Sequence, residues 1–166
     1  TILGKSVVSE AHPLFAGVYE GAMGRPEVTA LVESSDCLLM LGCFLTDINL
    51  GIFTAKLDPS RCIDATSEDL RIRHHHYQDV RLDDFIRGLI ERRLIVAKTP
   101  PPPRVSPFAG VDMGPGDSAA TSSKVFSRIN RLLVETTGTT VIADVGDSLF
   151  GAADLEMERR TELLSP

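Results

Sequence analysis

The feature that most limits how this chain can fold is the stretch Thr99–Thr121. It holds six of the ten prolines, four of them consecutive at Pro100-Pro101-Pro102-Pro103, together with Gly110, Gly114 and Gly116. Proline brings no N–H to a hydrogen-bond ladder, and glycine surrenders the most backbone entropy on ordering. Such a segment cannot bury a core and reads as a linker, stiff at its start and looser later. It divides the 166 residues into 1–98 and 122–166, and each side must build its own apolar layer.

Before the linker, Pro26 suits a first helical turn, with Val28, Leu31 and Val32 following at helical spacing. Ser9–Gly24, rich in small residues, predicts a loop with a short helix. Asp36–Gly42 contains a continuous apolar run ending in glycine, the pattern of a strand covered on both faces. Arg61–Ala65 and Leu70–His74 are further strand candidates. Leu82, Phe85, Ile86, Leu89, Ile90 and Leu94 mark the clearest amphipathic helix, with Asp83 and Asp84 early and Arg92 and Arg93 late, as the macrodipole favours. After the linker, Val125, Phe126, Ile129, Leu132 and Leu133 predict a helix capped by Ser122 or Ser123. A strand over Val141–Val145 follows. Strand–helix alternation on both sides predicts an α/β fold with Rossmann-like parallel sheets and flanking helices.

Net charge of −6 with scattered Lys and Arg argues against a nucleic-acid footprint. No run reaches the roughly 18 apolar residues that would span a bilayer. Cys37, Cys43 and Cys62 are odd in number and form no CxxC pair, so they read as reduced core thiols in a cytoplasmic protein. Thr1-Ile2-Leu3 and Leu163–Pro166 both read as mid-pattern, which suggests a piece of a longer protein.

The chemistry concentrates in Val141–Gly151, where an apolar strand meets Gly146-Asp147-Ser148 and then a helix start. Free N–H groups at such a turn suit an anion, usually phosphate. Gly-Asp-Ser-Leu also resembles the nucleophile block of an esterase and lipase class. That chemistry needs a downstream His as base, and residues 149–166 contain none. The remaining reading is an α/β scaffold or regulatory domain whose Asp147 or Ser148 caps a helix above an empty loop. Gly4-Lys5-Ser6 matches the end of a P-loop, but Val7-Val8 is a poor helix start and the required upstream glycine would precede residue 1. His74-His75-His76 alternate faces on a strand, so a metal site there lacks a third ligand. Asp83-Asp84 reads as helix N-terminal charge, not a catalytic pair. No metal ligand is assigned.

An ordered series carries more information than any of these motifs. Gly4-Lys5-Ser6, Glu10-Ala11-His12-Pro13, Phe15–Tyr19, Gly21, Arg25-Pro26-Glu27-Val28, Val32–Asp36, Leu41-Gly42, Thr46–Gly51 and Phe53-Thr54 occur in one line. This closely resembles the central domain of thiamine-diphosphate-dependent 2-oxo acid decarboxylases, the pyruvate, indolepyruvate and phenylpyruvate decarboxylase group. The resemblance implies residues 1–98 as an incomplete central domain, 99–121 as the connection, and 122–166 as the start of the diphosphate-binding domain. It implies thiamine diphosphate and Mg²⁺ as cofactors of the parent enzyme, a 2-oxo acid substrate, and a homo-oligomer, dimer or tetramer. The family's diphosphate loop maps onto Val145, Gly146, Asp147 and Ser148. Val145 departs from the Thr often found there, which shifts the weight to Gly146 and Asp147. The cofactor-activating Glu, the catalytic His residues and the Gly-Asp-Gly…Asn metal motif have no counterpart among these residues. No catalytic residue is therefore assigned, and the chain alone is expected to be inactive. Related enzymes that hold FAD in this domain carry arginines where Phe44 and Ile48 stand, so neither FAD nor another nucleotide is expected there.

Overall fold

A computed structural model describes residues 1–95, 106–116, 118–136, 138–157 and 163–164. Residues 96–105, Pro100–Pro103 among them, lie outside the described residues. The chain divides into two compact units that do not follow chain order. One comprises Tyr19–Pro100 with Thr1, and the other Ile2–Val18 with Pro101–Pro166. Residues 2–18, grouped with the central domain by sequence, thus belong to the same unit as the residues after the linker.

The first unit is α/β. Helix α1, Pro26–Glu33, begins on proline at its first turn, as the sequence predicts. Strand β1, Leu38–Leu41, pairs in parallel with β2, Cys62–Ala65, in the register Leu38↔Cys62 to Leu41↔Ala65. The sheet then departs from the all-parallel expectation. β3, Asp69–Ile72, and β4, His75–Gln78, continue it as antiparallel neighbours in the order β1-β2-β3-β4. The cause is local. Thr66 closes the β2–β3 turn, its N–H donating to the Asp69 carbonyl and its hydroxyl accepting from the Asp69 N–H. Arg73, at φ 55°, reverses the chain again. Turns this short allow only antiparallel neighbours.

Helix α2, Leu82–Arg92, is tethered where the Leu82 N–H donates to the Ser67 carbonyl. It stops two residues earlier than the periodicity predicts, because Arg93 adopts the left-handed conformation at φ 49°, and Leu94 falls outside the helix. The buried apolar residues of this unit include Tyr19, Val28, Met40, Ala65 and Leu70. The Tyr19 hydroxyl donates to Glu33 Oε1 at 3.0 Å, and that oxygen also accepts the Lys56 N–H. Burial, with this hydrogen bond to Glu33, raises the Tyr19 phenol well above its ordinary value. Residues 9–24 form turns and bends without the short helix expected. The loop at 50–55 packs tightly there. Gly51, at φ 57°, lies so close to the Glu20 carbonyl that a side chain would overlap it.

The second unit contains α3, Ser122–Glu135; β5, Val141–Ile142; α4, Asp147–Ala153; and β6, Leu163–Leu164, parallel to β5. The N-cap of α3 is Thr121, whose hydroxyl accepts the Lys124 N–H, one residue before the predicted cap. Ile2, Ala143, Leu149, Ala152, Ala153, Leu155, Met157 and Leu163 are buried in it. Residues from 106 onward are not a free linker. The Ser106 hydroxyl donates to Glu156 Oε2 at 3.1 Å. Asn130, buried on α3, holds the same carboxylate through Nδ2 at 2.9 Å and accepts the Glu156 N–H at 2.8 Å.

The cysteines are free, but none is buried: Cys37 is exposed and the other two are intermediate. The core-thiol expectation fails because Cys37 and Cys43 lie just outside the two ends of β1 and Cys62 is the first residue of β2. No helix among the described residues is long and apolar enough to cross a membrane.

Candidate functional site

The loop expected to carry the chemistry lies between β5 and α4. The strand is shorter than predicted and ends at Ile142; Ala143 is buried, and the chain then turns outward, leaving Val145 67% exposed. Two bonds shape the turn. Asp144 Oδ1 accepts the Val145 N–H at 2.8 Å, and the Ser148 hydroxyl donates to the Asp144 carbonyl at 2.7 Å. Gly146 is the N-cap of α4 with φ 92° and ψ −152°, a conformation essentially reserved for glycine. No side chain caps α4. Asp147 is its first residue, so the expectation that Asp147 or Ser148 is the cap does not hold. The Leu149 and Phe150 N–H groups return to the Gly146 carbonyl. Those of Gly146, Asp147 and Ser148 meet no acceptor among the described residues. A Cβ built on Gly146 would meet nothing within 4 Å, so the space over the loop is open.

The structure therefore brings Val145, Gly146, Asp147 and Ser148 together in one exposed turn with unspent donors. Because Ser148 gives its proton to a carbonyl oxygen, it has the bonding of a loop clasp and not of an activated nucleophile. The carboxylates of Asp144 and Asp147 stand beside the donors, so a strongly anionic ligand here would need a cation to offset them.

The other sequence candidates disperse. His74 lies in the β3–β4 turn, His75 and His76 lie on β4, and all are exposed. His76 Nε2 is 3.3 Å from Asp69 Oδ1. No cluster of three potential metal ligands occurs among the described residues. Phe44 is 74% exposed. His12 Nδ1 accepts the Leu14 N–H within its own turn.

Sequence reasoning missed the role of Lys5. Its ammonium donates to Glu10 Oε1 at 2.6 Å and to the Leu155 carbonyl at 2.7 Å, with the two side chains only 2% and 1% exposed. This is a buried ion pair, not a phosphate lysine. Gly151 was also missed. It lies in α4 directly against the Phe126 ring of α3.

The family description "Thiamine pyrophosphate enzyme, central domain" matches residues 1–91. The chain belongs to the thiamine pyrophosphate enzymes. It is 30% identical over 152 residues to pyruvate decarboxylase isozyme 2 of Saccharomyces cerevisiae, covering 91% of this chain and 27% of that protein. It is 31% identical over 153 residues to pyruvate decarboxylase of Kluyveromyces marxianus, with the same two shares. It is 29% identical over 154 residues to alpha-keto-acid decarboxylase of Mycolicibacterium paratuberculosis, again covering 91% and 27%. The chain thus spans about a quarter of the length of these relatives.

Proposed function

We propose that this chain is part of a thiamine-diphosphate- and Mg²⁺-dependent 2-oxo acid decarboxylase, and that Val145–Ser148 hold one edge of its diphosphate site. The observation that carries the reading is the Gly146 turn. It leaves three N–H donors exposed under open space, in a chain whose relatives are pyruvate and alpha-keto-acid decarboxylases. Gly146 lets the backbone approach a bulky anion, and the Gly146, Asp147 and Ser148 N–H groups would donate to diphosphate oxygens. Mg²⁺ would offset the Asp144 and Asp147 carboxylates, which otherwise repel that anion. When bound, the cofactor supplies a thiazolium carbon that adds to the 2-oxo group and accepts the electron pair released as carbon dioxide leaves. Ser148 keeps the loop closed through Asp144 and takes no part in bond making.

The domain assignment of the sequence reading belongs to this proposal, as do a homo-oligomeric parent whose neighbouring subunit completes the site and a central domain without FAD or other nucleotide. Three free cysteines suit a reducing cytoplasm. The 166 residues alone are expected not to decarboxylate 2-oxo acids.

The test is calorimetry of thiamine diphosphate with Mg²⁺ on the full-length parent enzyme. A charge-assisted backbone bond contributes about 1.5–3 kcal/mol, so displacing the loop should cost roughly tenfold or more in affinity. Gly146→Val and Asp147→Ala are both expected to weaken binding. Unchanged affinity in both variants would remove the loop from the site. An empty loop on an α/β scaffold would then be the better reading, since two adjacent carboxylates disfavour an anion when no cation accompanies it.

A further inference from the structure

The Lys5–Glu10 pair grips the end of α4 opposite the Gly146 turn. Helix α4 runs only from Asp147 to Ala153, and Leu155 and Met157 follow it, both almost fully buried. Lys5 Nζ binds the Leu155 carbonyl at 2.7 Å, and Glu10 Oε2 accepts the Met157 N–H at 3.2 Å. Beside them, Ser6 Oγ accepts the Leu163 N–H at 3.2 Å, so three side chains of residues 2–18 clasp the backbone beyond α4. Two turns of helix span roughly 10 Å and do not bend easily. A shift of the Leu155 end is passed to Gly146, Asp147 and Ser148 at the other.

Energetics say why charge is needed here. A buried ion pair seldom stabilises more than a well-packed apolar pair of the same volume. An apolar pair, however, would leave the Leu155 carbonyl and the Met157 N–H without these partners, in a place where water does not reach. The charged pair fixes direction as well as contact, because Lys5 Nζ meets both Glu10 Oε1 and the Leu155 carbonyl, and Glu10 meets both Lys5 and the Met157 N–H. We infer that Lys5 and Glu10 are positioning residues for the diphosphate loop: they set the placement of α4 and thereby aim the N–H groups at its start. This inference rests on the cofactor reading of Val145–Ser148 proposed above.

The experiment uses the full-length parent enzyme with Lys5→Met, Glu10→Gln and the double variant Lys5→Met/Glu10→Leu. Three quantities are measured: the melting temperature without cofactor, hydrogen exchange at residues 146–149 without cofactor, and thiamine diphosphate affinity with Mg²⁺. Each single variant strands a buried charge or its backbone partner and should melt earlier. The double variant should melt above either single variant, since neither charge of the pair then faces an apolar partner, but below the parent, since the Leu155 carbonyl and the Met157 N–H lose these partners. It should also exchange faster at 146–149 and bind cofactor about tenfold more weakly, the scale on which supporting residues around a bound group act. At saturating cofactor, kcat should stay within about threefold of the parent, an effect below 1 kcal/mol on the barrier.

If the double variant melts above both single variants with parental exchange and parental affinity, the pair is a structural staple only and the inference falls. Should the double variant not fold, Lys5→Arg and Glu10→Asp keep the charges but misplace the bonds. The same rise in exchange and loss of cofactor affinity are then expected, and parental values in both would overturn the inference. Gly146→Val run alongside separates the two proposals. If it leaves affinity intact, the cofactor reading fails, while the exchange data still report whether the pair positions the loop.

Discussion

Gly151→Ala sets two known effects against each other. Inside a helix, replacing Gly by Ala should stabilise by about 0.8–1.0 kcal/mol through backbone entropy alone. At Gly151 the added methyl would fall within the Phe126 ring, overlapping Cε2, Cζ and Cδ2. Ordinary carbon contacts lie at about 3.5–4.0 Å, so the ring must move by more than an ångström or α4 must lift from α3. If the ring stays, overpacking costs about 1–3 kcal/mol, and this much overlap belongs at the upper end. If the ring swings toward solvent, half of a phenylalanine burial of roughly 1.5–3 kcal/mol is lost, together with the α3–α4 contact. The first route leaves a net loss of about 2 kcal/mol; in the second the lost burial alone roughly cancels the propensity gain of about 1 kcal/mol, and the lost α3–α4 contact makes the balance unfavourable.

The chain has no tryptophan, so fluorescence is a poor reporter. Hydrogen exchange by mass spectrometry localises the effect to α3 and α4 and needs no two-state assumption. Protection there should fall severalfold in Gly151→Ala. In a Phe126→Ala background the same substitution should become neutral or favourable, giving a coupling energy of about 1–3 kcal/mol for residues in contact. Increased protection in the single variant, or zero coupling, would refute the packing argument.

Gly88 provides the matching control. It lies inside α2 with nothing within 4 Å of a built Cβ, so Gly88→Ala should raise protection of α2 by roughly 0.5–1 kcal/mol, read by the same exchange measurement. Cys62 should be the slower thiol. Burial first, then the negative charges of Asp58 and Asp64, raise its pKa, while Cys37 is exposed. Peptide mapping after iodoacetamide treatment at pH 8 should find Cys37 modified before Cys62, and Asp64→Asn should speed Cys62; equal rates in parent and variant would contradict the assigned cause. The raised folded-state value also fixes a sign. Stability from the neutral Cys62 thiol is complete below the ordinary thiol pKa and is lost as pH rises through the folded one. Unit 1 should therefore loosen at strongly alkaline pH, and less so in Cys62→Ala.

The parts of the fold legible in the sequence are those with local causes. Pro26 starts α1, the apolar run Leu38–Leu41 makes a strand, and the apolar spacing of 82–90 makes α2. The misses share a physical reason. The β3–β4 hairpin turns at Arg73 and α2 ends at Arg93, both at positive φ where sequence rules look for Gly or Asn. The Arg73 N–H is held by the Cys62 carbonyl across the sheet, and the Arg93 N–H by the Ile90 carbonyl at the helix end, bonds that neither residue's own preference announces. At the candidate site, Gly146 was legible because its conformation leaves almost no other choice of residue, whereas its support was not. Gly-Lys-Ser reads as a phosphate motif because the local string is all that sequence offers. Lys5 is instead committed by a carbonyl 150 residues away and a carboxylate five residues on. A lysine already donating to both, and hidden from water, would have to break two charge-assisted bonds to meet a phosphate. The same bonds that exclude Lys5 as a ligand make it a support. They also explain how residues near the start of the chain bear on a loop near its end: a buried charge must be met by specific partners, and here those partners follow α4.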